Sequence, residues 1–197
     1  MTYSNELLYH AAQESNRIEW EPIKGQSFDN LWRCTLLART ASEENTLLHP
    51  RAYHQLLFEG LHIDHPILKL EAGEYRPLGV NVYVRGQDGK VHAFADSDKV
   101  PGLMDAWWAK AENALLFGSP NLRKEYTSWN FHAWFEAIHP FPDGNGRVGR
   151  LLWWNMAMIA RQDIEVVTFD ERLDYYDRLE YWWHNYSNVP QMNPFRR

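Results

Sequence analysis

Two stretches with apolar residues at helical spacing, 131–138 and 151–156, are joined by His139-Pro140-Phe141-Pro142-Asp143-Gly144-Asn145-Gly146-Arg147-Val148-Gly149-Arg150. This joint constrains the chain more than any other segment. Pro140 and Pro142 cannot continue a helix, so the first stretch must stop at or near His139. Gly144 and Gly146 can take positive φ, which lets successive N–H groups converge into an anion nest. The second stretch resumes near Gly146, and its start adds free N–H groups and the positive end of a helix dipole.

Charge and chemistry gather at the same joint. Arg147 and Arg150 are three apart, on the same side of the first helical turn. Two guanidinium groups beside an anion nest suit a polyphosphate. Asp143 at the rim suits Mg²⁺ bridging phosphate oxygens. His139 stands where a general base would, because neutral imidazole accepts a proton near pH 7. Together these residues suit nucleophilic attack on a nucleotide phosphate. Each piece also has a plain structural reading: a Gly-Asn-Gly turn, a histidine closing a helix, two solvated arginines. The joint spacing separates the two readings.

The rest of the chain reads as mainly α with one hairpin. Residues 4–15 have a helical face with Ser4 able to cap it. Ser27 to about Glu44 repeats the pattern, and His49-Pro50 opens a short helix that Gly60 closes. Residues 61–78 look irregular. Val80, Val82 and Val84 alternate with polar or aromatic neighbours, as in a strand. Residues 87–90 supply a turn and 91–94 a return strand. Pro101 opens a helix with Leu103, Met104, Trp107, Trp108, Ala111 and Leu115, followed by a loop at 118–121. Ser128 can cap the helix before His139, and a last helix covers about 171–187.

Composition narrows the partners. Lys plus Arg number 20 and Asp plus Glu 26, a net charge of −6. That excludes a general nucleic-acid binder, although a nucleotide needs only a few local cations. The single cysteine, Cys34, cannot form an internal disulfide and reads as a small buried apolar residue. No run approaches the length of apolar sequence that spans a bilayer, and the N-terminus lacks a signal-peptide layout, so a cytoplasmic protein without membrane attachment is expected. Ten tryptophans demand a core of large flat side chains; Trp134, Trp153 and Trp154 flank the joint.

The joint resembles the motif of the Fic family, His-x-Phe-x-Asp/Glu-Gly-Asn-Gly-Arg-x-x-Arg, at every specified position. Eight such positions agreeing by chance is on the order of one in a hundred million, so composition does not produce the match. Tyr75-Arg76 and the 80–84 strand resemble the family's flap, and His132, Phe135 and Ile138 its preceding helix. The likeness covers roughly residues 70–190, most strongly 131–155. It implies a Fic-type helical bundle, with N-terminal helices over 1–60 and a core over 61–197, the flap lying at about 76–96.

Fic proteins mostly transfer AMP from ATP to a Ser, Thr or Tyr hydroxyl of a target protein. The resemblance implies that His139 is the base and Asp143 the Mg²⁺ ligand. Asn145, with the amides of Gly144 and Gly146, would hold the α-phosphate, with Arg147 and Arg150 on the β- and γ-phosphates. Phe141 would anchor the loop. Gly146, where related phosphorylating proteins carry lysine, favours nucleotidyl transfer. Val80, Val82 and Val84 would present a strand edge to the target. Many relatives carry an inhibitory Ser/Thr-x-x-x-Glu-Gly/Asn helix. Ser15 to Trp20 resembles it, with Trp20 in the last place. Thr40 to Asn45 fits every letter and offers Glu44. Glu19 is the preferred inhibitory residue because it leaves two helices before the flap, closer to relatives whose inhibitory helix lies N-terminal. Removal of AMP from a modified protein and an idle nucleotide-binding module are the alternative functions. A homodimer or a separate antitoxin stays open as a partner.

Overall fold

The computed structural model describes residues 3–63, 70–85, 91–116 and 127–186. The expected turn at 87–90 and loop at 118–121 lie outside the described residues. Among those described, seven helices and one two-stranded ladder form the fold: α1 (Asn5–Ile18), α2 (Gln26–Glu43), α3 (Pro50–Leu57), β1 (Tyr83–Arg85), β2 (Val91–Ala93), α4 (Val100–Leu116), α5 (Ser128–Ile138), α6 (Asn145–Ile159) and α7 (Arg172–Tyr186). The architecture is mainly α, as its sequence pattern predicts. No described helix is long and apolar enough to cross a membrane.

The centre is α6. Its side chains are buried on every face from Asn145 to Met158, which marks a helix enclosed by others. α2 and α5 pack along it, α1 and α3 join them, and α4 and α7 cover α5. One continuous core therefore includes Leu8 and Leu31 from the N-terminal helices, Trp107 from α4, and Trp134, Trp153 and Trp154 around the joint. The N-terminal helices are part of the wall around α6.

Helix ends follow local chemistry. The Ser4 side chain accepts from the Leu7 N–H, as expected, but α1 runs on to Ile18. The cap of α5 is Thr127, whose hydroxyl accepts from the Asn130 N–H; Ser128 is the first helical residue. His49 caps α3 by accepting from the Arg51 N–H, with Pro50 in the first turn. The strand expected over 80–84 is shorter: β1 begins at Tyr83 and pairs antiparallel with β2, Tyr83 opposite Ala93 and Arg85 opposite Val91. Val80 instead closes a turn, its N–H bonded to the Pro77 carbonyl.

Candidate active site

α5 stops at His139, which takes a left-handed conformation (φ 52°, ψ 60°) and still donates its N–H to the Phe135 carbonyl. Such a conformation costs a non-glycine residue about 1 kcal/mol, so surrounding contacts must hold it. The His139 side chain is 22% exposed, and its ring stacks on Phe94 at 3.9 Å between centroids. Nδ1 lies 3.8 Å from a Glu136 carboxylate oxygen one turn back. Burial lowers the imidazole pKa to about 4; the Arg76 cation adds to this and the Glu19 carboxylate opposes it. His139 is therefore neutral near pH 7, the form that accepts a proton.

The loop is closed by Asn145. Its Oδ1 accepts from the Phe141 N–H and its Nδ2 donates to the Phe141 carbonyl, both at 2.8 Å. The sequence expectation put this amide on a phosphate; the structure commits both ends to the loop and leaves one Nδ2 hydrogen. Phe141 is fully buried and stacks on His54 at 4.0 Å. His54, from α3, accepts from the Gly73 N–H through Nδ1 and reaches the Asp143 carbonyl through Nε2. Gly144 has φ 75°, and a Cβ there would sit 2.6 Å from the Phe58 ring, so both conformation and space require glycine.

Asp143 is 57% exposed at the mouth, with one oxygen accepting from the Gly144 N–H and lying 3.8 Å from Arg147. Among the described residues no three metal-ligating side chains cluster. A rim carboxylate beside a helix N-terminus fits Mg²⁺ held jointly with substrate phosphates, because that ion commonly takes one or two carboxylates and keeps its waters.

The two motif arginines diverge instead of sharing one direction. Arg147 bonds to Ser27 Oγ at 3.3 Å, lies 3.8 Å from Glu21, and covers the Phe58 ring. Arg150 is fully buried. Its Nε donates to Ser15 Oγ at 2.9 Å, and its Nη2 to the Ser15 carbonyl at 3.0 Å and to Glu19 Oε1 at 2.6 Å. Ser15 and Glu19, one turn apart, thus converge on one guanidinium across 131 residues of chain. Although burial works against its charge, the neighbouring Glu19 keeps Arg150 firmly protonated. The same Glu19 oxygen lies 2.1 Å from where a Cβ on Gly146 would be. It therefore occupies the start of α6, where a helix offers free N–H groups to an anion.

Trp20 follows in a left-handed conformation (φ 58°), at the position where the resembled pattern has Gly or Asn. Its ring is 77% exposed, edge-on to Phe169 at 4.9 Å and under Arg172. Glu44 is the C-cap of α2 and is exposed. Its neighbours Glu43 and Asn45 line a cavity with Met158 and Ile159, at the far end of α6 from Arg150.

Glu136 and His54 carried no sequence signal, and Arg76 was read only as part of the flap. Glu136 is buried against Gly149, and burial raises its carboxyl to about 8, with Glu19 adding and Arg150 opposing. Arg76 and His54 contact the loop mainly through backbone atoms, which a side-chain pattern does not reveal. His132 is structural: it bonds Tyr175 Oη at 2.8 Å and stacks on Trp153. Asn155 serves the backbone of Ala38, Thr46 and Leu48. Cys34 is buried, its thiol pushed up to about 12 by burial.

Fold and site define a helical protein with a glycine-bounded loop at the start of a buried helix and a neutral histidine at its edge. The Fic/DOC family model matches residues 46–157, and the chain belongs to that family. It is 32% identical over 128 residues to a protein adenylyltransferase Fic of Nematostella vectensis, covering 65% of this chain and 26% of that protein. It is 49% identical over 49 residues to a probable protein adenylyltransferase of Aquifex aeolicus, covering 25% of this chain and 15% of that protein. The chain thus spans only a minor part of either relative. Among solved structures, a Fic domain containing signaling protein from Bacteroides thetaiotaomicron superposes with a TM-score of 0.71 at 16% identity, over 97% of this chain and 80% of that one. A Fic family protein from Desulfovibrio desulfuricans gives 0.63 at 27% identity, over 98% and 62%.

Proposed function

We propose that the protein is an adenylyltransferase that moves AMP from ATP to a hydroxyl side chain of a target protein, and that Glu19 holds it in check. A target hydroxyl attacks the α-phosphorus, the bond to the bridging oxygen of the β-phosphate breaks, and pyrophosphate leaves. His139 takes the hydroxyl proton. The start of α6 would face the α-phosphate, and Arg150 would turn to the terminal phosphates once Glu19 has left, with Arg147 reaching them from its separate place beside Ser27 and Glu21. Mg²⁺ on Asp143 would neutralise charge on the polyphosphate. The outer edge of β1, at Tyr83–Arg85, would pair with an extended target segment and bring its hydroxyl to His139.

One observation carries this reading. A carboxylate from 131 residues away sits 2.6 Å from Arg150, above Gly146, in a site built for an anion. On this reading the γ-phosphate would take that place, and the resting chain would bind ATP poorly or in an unproductive pose. Glu44, exposed at the other end of α6, has no comparable position.

The test uses ATP labelled at the α- or the γ-phosphate and the Glu19→Gly variant. Label is expected on protein from the α-position only, and His139→Ala added to that variant abolishes it. Label from the γ-position would instead make the protein a kinase. No label from either position would refute transfer.

A further inference from the structure

We infer that Arg76 is a positioning residue that fastens the base of the β1–β2 ribbon to the backbone of His139, so that the proton acceptor and the docking edge move as one unit. This rests on the adenylyl-transfer reading for its consequence, though not for its geometry.

Arg76 is 3% exposed and precedes the ribbon. Its backbone N–H donates to the Pro140 carbonyl at 2.8 Å. Nε donates to the His139 carbonyl at 2.9 Å, and Nη2 to the Ile138 carbonyl at 3.4 Å. From the same guanidinium, Nη1 donates to the Val80 carbonyl at 2.7 Å and Nη2 to the Ala95 carbonyl. One side chain thus joins both legs of the ribbon to the end of α5. All five acceptors are backbone carbonyls, which no pattern of side chains announces.

The chemistry of the site makes this arrangement matter. His139 is left-handed, a strained state that persists only where neighbours hold it. Arg76 holds it from its carbonyl side, and Phe94, beside the Ala95 acceptor, holds the ring by stacking. The negative end of α5 offsets part of the cost of burying the cation. Ser97 completes the base of the ribbon: its Oγ accepts from the Gly79 N–H, and its N–H donates to Asn81. Attack in line needs the hydroxyl and its base placed to within roughly half an ångström, and they sit on different segments of chain. A displacement of about 1 Å can cost a hundredfold in rate. Lysine offers charge without the planar fork that reaches both segments.

The experiment places Arg76→Lys and Arg76→Gln in the Glu19→Gly background. AMP transfer is expected to fall at least about tenfold in both, while ATP affinity stays within about threefold, because Arg147, Arg150 and the start of α6 are untouched. Amide hydrogen exchange reads the clamp without activity: segments 79–84, 93–97 and 138–144 should gain exchange together, with α2 and α6 unchanged. Transfer within threefold of the parent, ATP affinity falling in step with transfer, or exchange rising in only one segment or in none overturns the inference. Should Gln fail to fold, Lys decides. Should Glu19→Gly itself carry no AMP, the transfer reading fails, and the exchange result still judges the clamp.

Discussion

At the scale of single residues, the site is governed by where charge and strain are allowed to sit. Trp20 shows both. The resembled inhibitory pattern ends in Gly or Asn, and the structure gives the physical reason: the residue after Glu19 must be left-handed to let the chain leave α1. Tryptophan bears about 1 kcal/mol of strain there. Its edge contact with Phe169 and its cation–π contact with Arg172 return a comparable amount. Trp20→Gly should therefore leave the melting midpoint within about 2 °C of the parent, because strain and contacts vanish together. Phe169→Ala keeps the strain and loses the contact, and should lower the midpoint by about 2–4 °C, the shift expected for 1 kcal/mol in a chain of this size. Thermal unfolding followed by circular dichroism checks both. Glu19 itself was legible from Ser15 and Glu19 standing four apart; its geometry at Arg150 was not, because nothing local in the sequence states a distance across 131 residues.

At the scale of elements, α3, α5 and α6 bring titratable groups together under cover. Burial lowers His54 and His139 to about 4 and His132 to about 3, and raises Glu136 to about 8. The lowered histidines contribute stability that is complete above the ordinary histidine value of about 6.5 and is lost as pH falls through their folded values. Glu136 acts oppositely: its contribution is complete below about 4.5 and is lost as pH rises toward 8. Three groups outweigh one, so urea midpoints should rise from pH 4.5 to a maximum near pH 6.5 and then decline gently to pH 8. A midpoint unchanged between pH 4.5 and 6.5 would contradict the burial of these histidines. The elements that the sequence made plain are those with local causes. Pro140 and Pro142 end α5, the apolar positions of α6 make it a buried helix, and Ser4 caps α1. The strand was overextended to 80–84, because valine alternation there cannot show that Val80 belongs to a turn closed on Pro77. The tripod of Arg76, Phe94 and His139 was invisible for the same reason: its bonds run to backbone carbonyls and to a ring face.

At the scale of the whole molecule, α1, which leads into Glu19, and α6, which carries Arg150, belong to one core. α1 and α2 both pack on α6, so the turn at 19–21 that carries Glu19 is joined to the same core as Arg150. The net charge of −6 fits this economy, since two placed arginines and a helix start suffice for a nucleotide. A partly buried charge-assisted contact such as Glu19 with Arg150 contributes about 1.5–3 kcal/mol, and on the proposed reading it is given up before the terminal phosphate binds. That range corresponds to roughly a ten- to hundredfold change in rate. The most direct measurement is intact-protein mass spectrometry of the wild type and of Glu19→Gly under the same ATP and Mg²⁺, timed over the first turnover. The variant should gain AMP at least about tenfold faster than the wild type. Equal rates for the two would contradict the claim that Glu19 occupies the phosphate site.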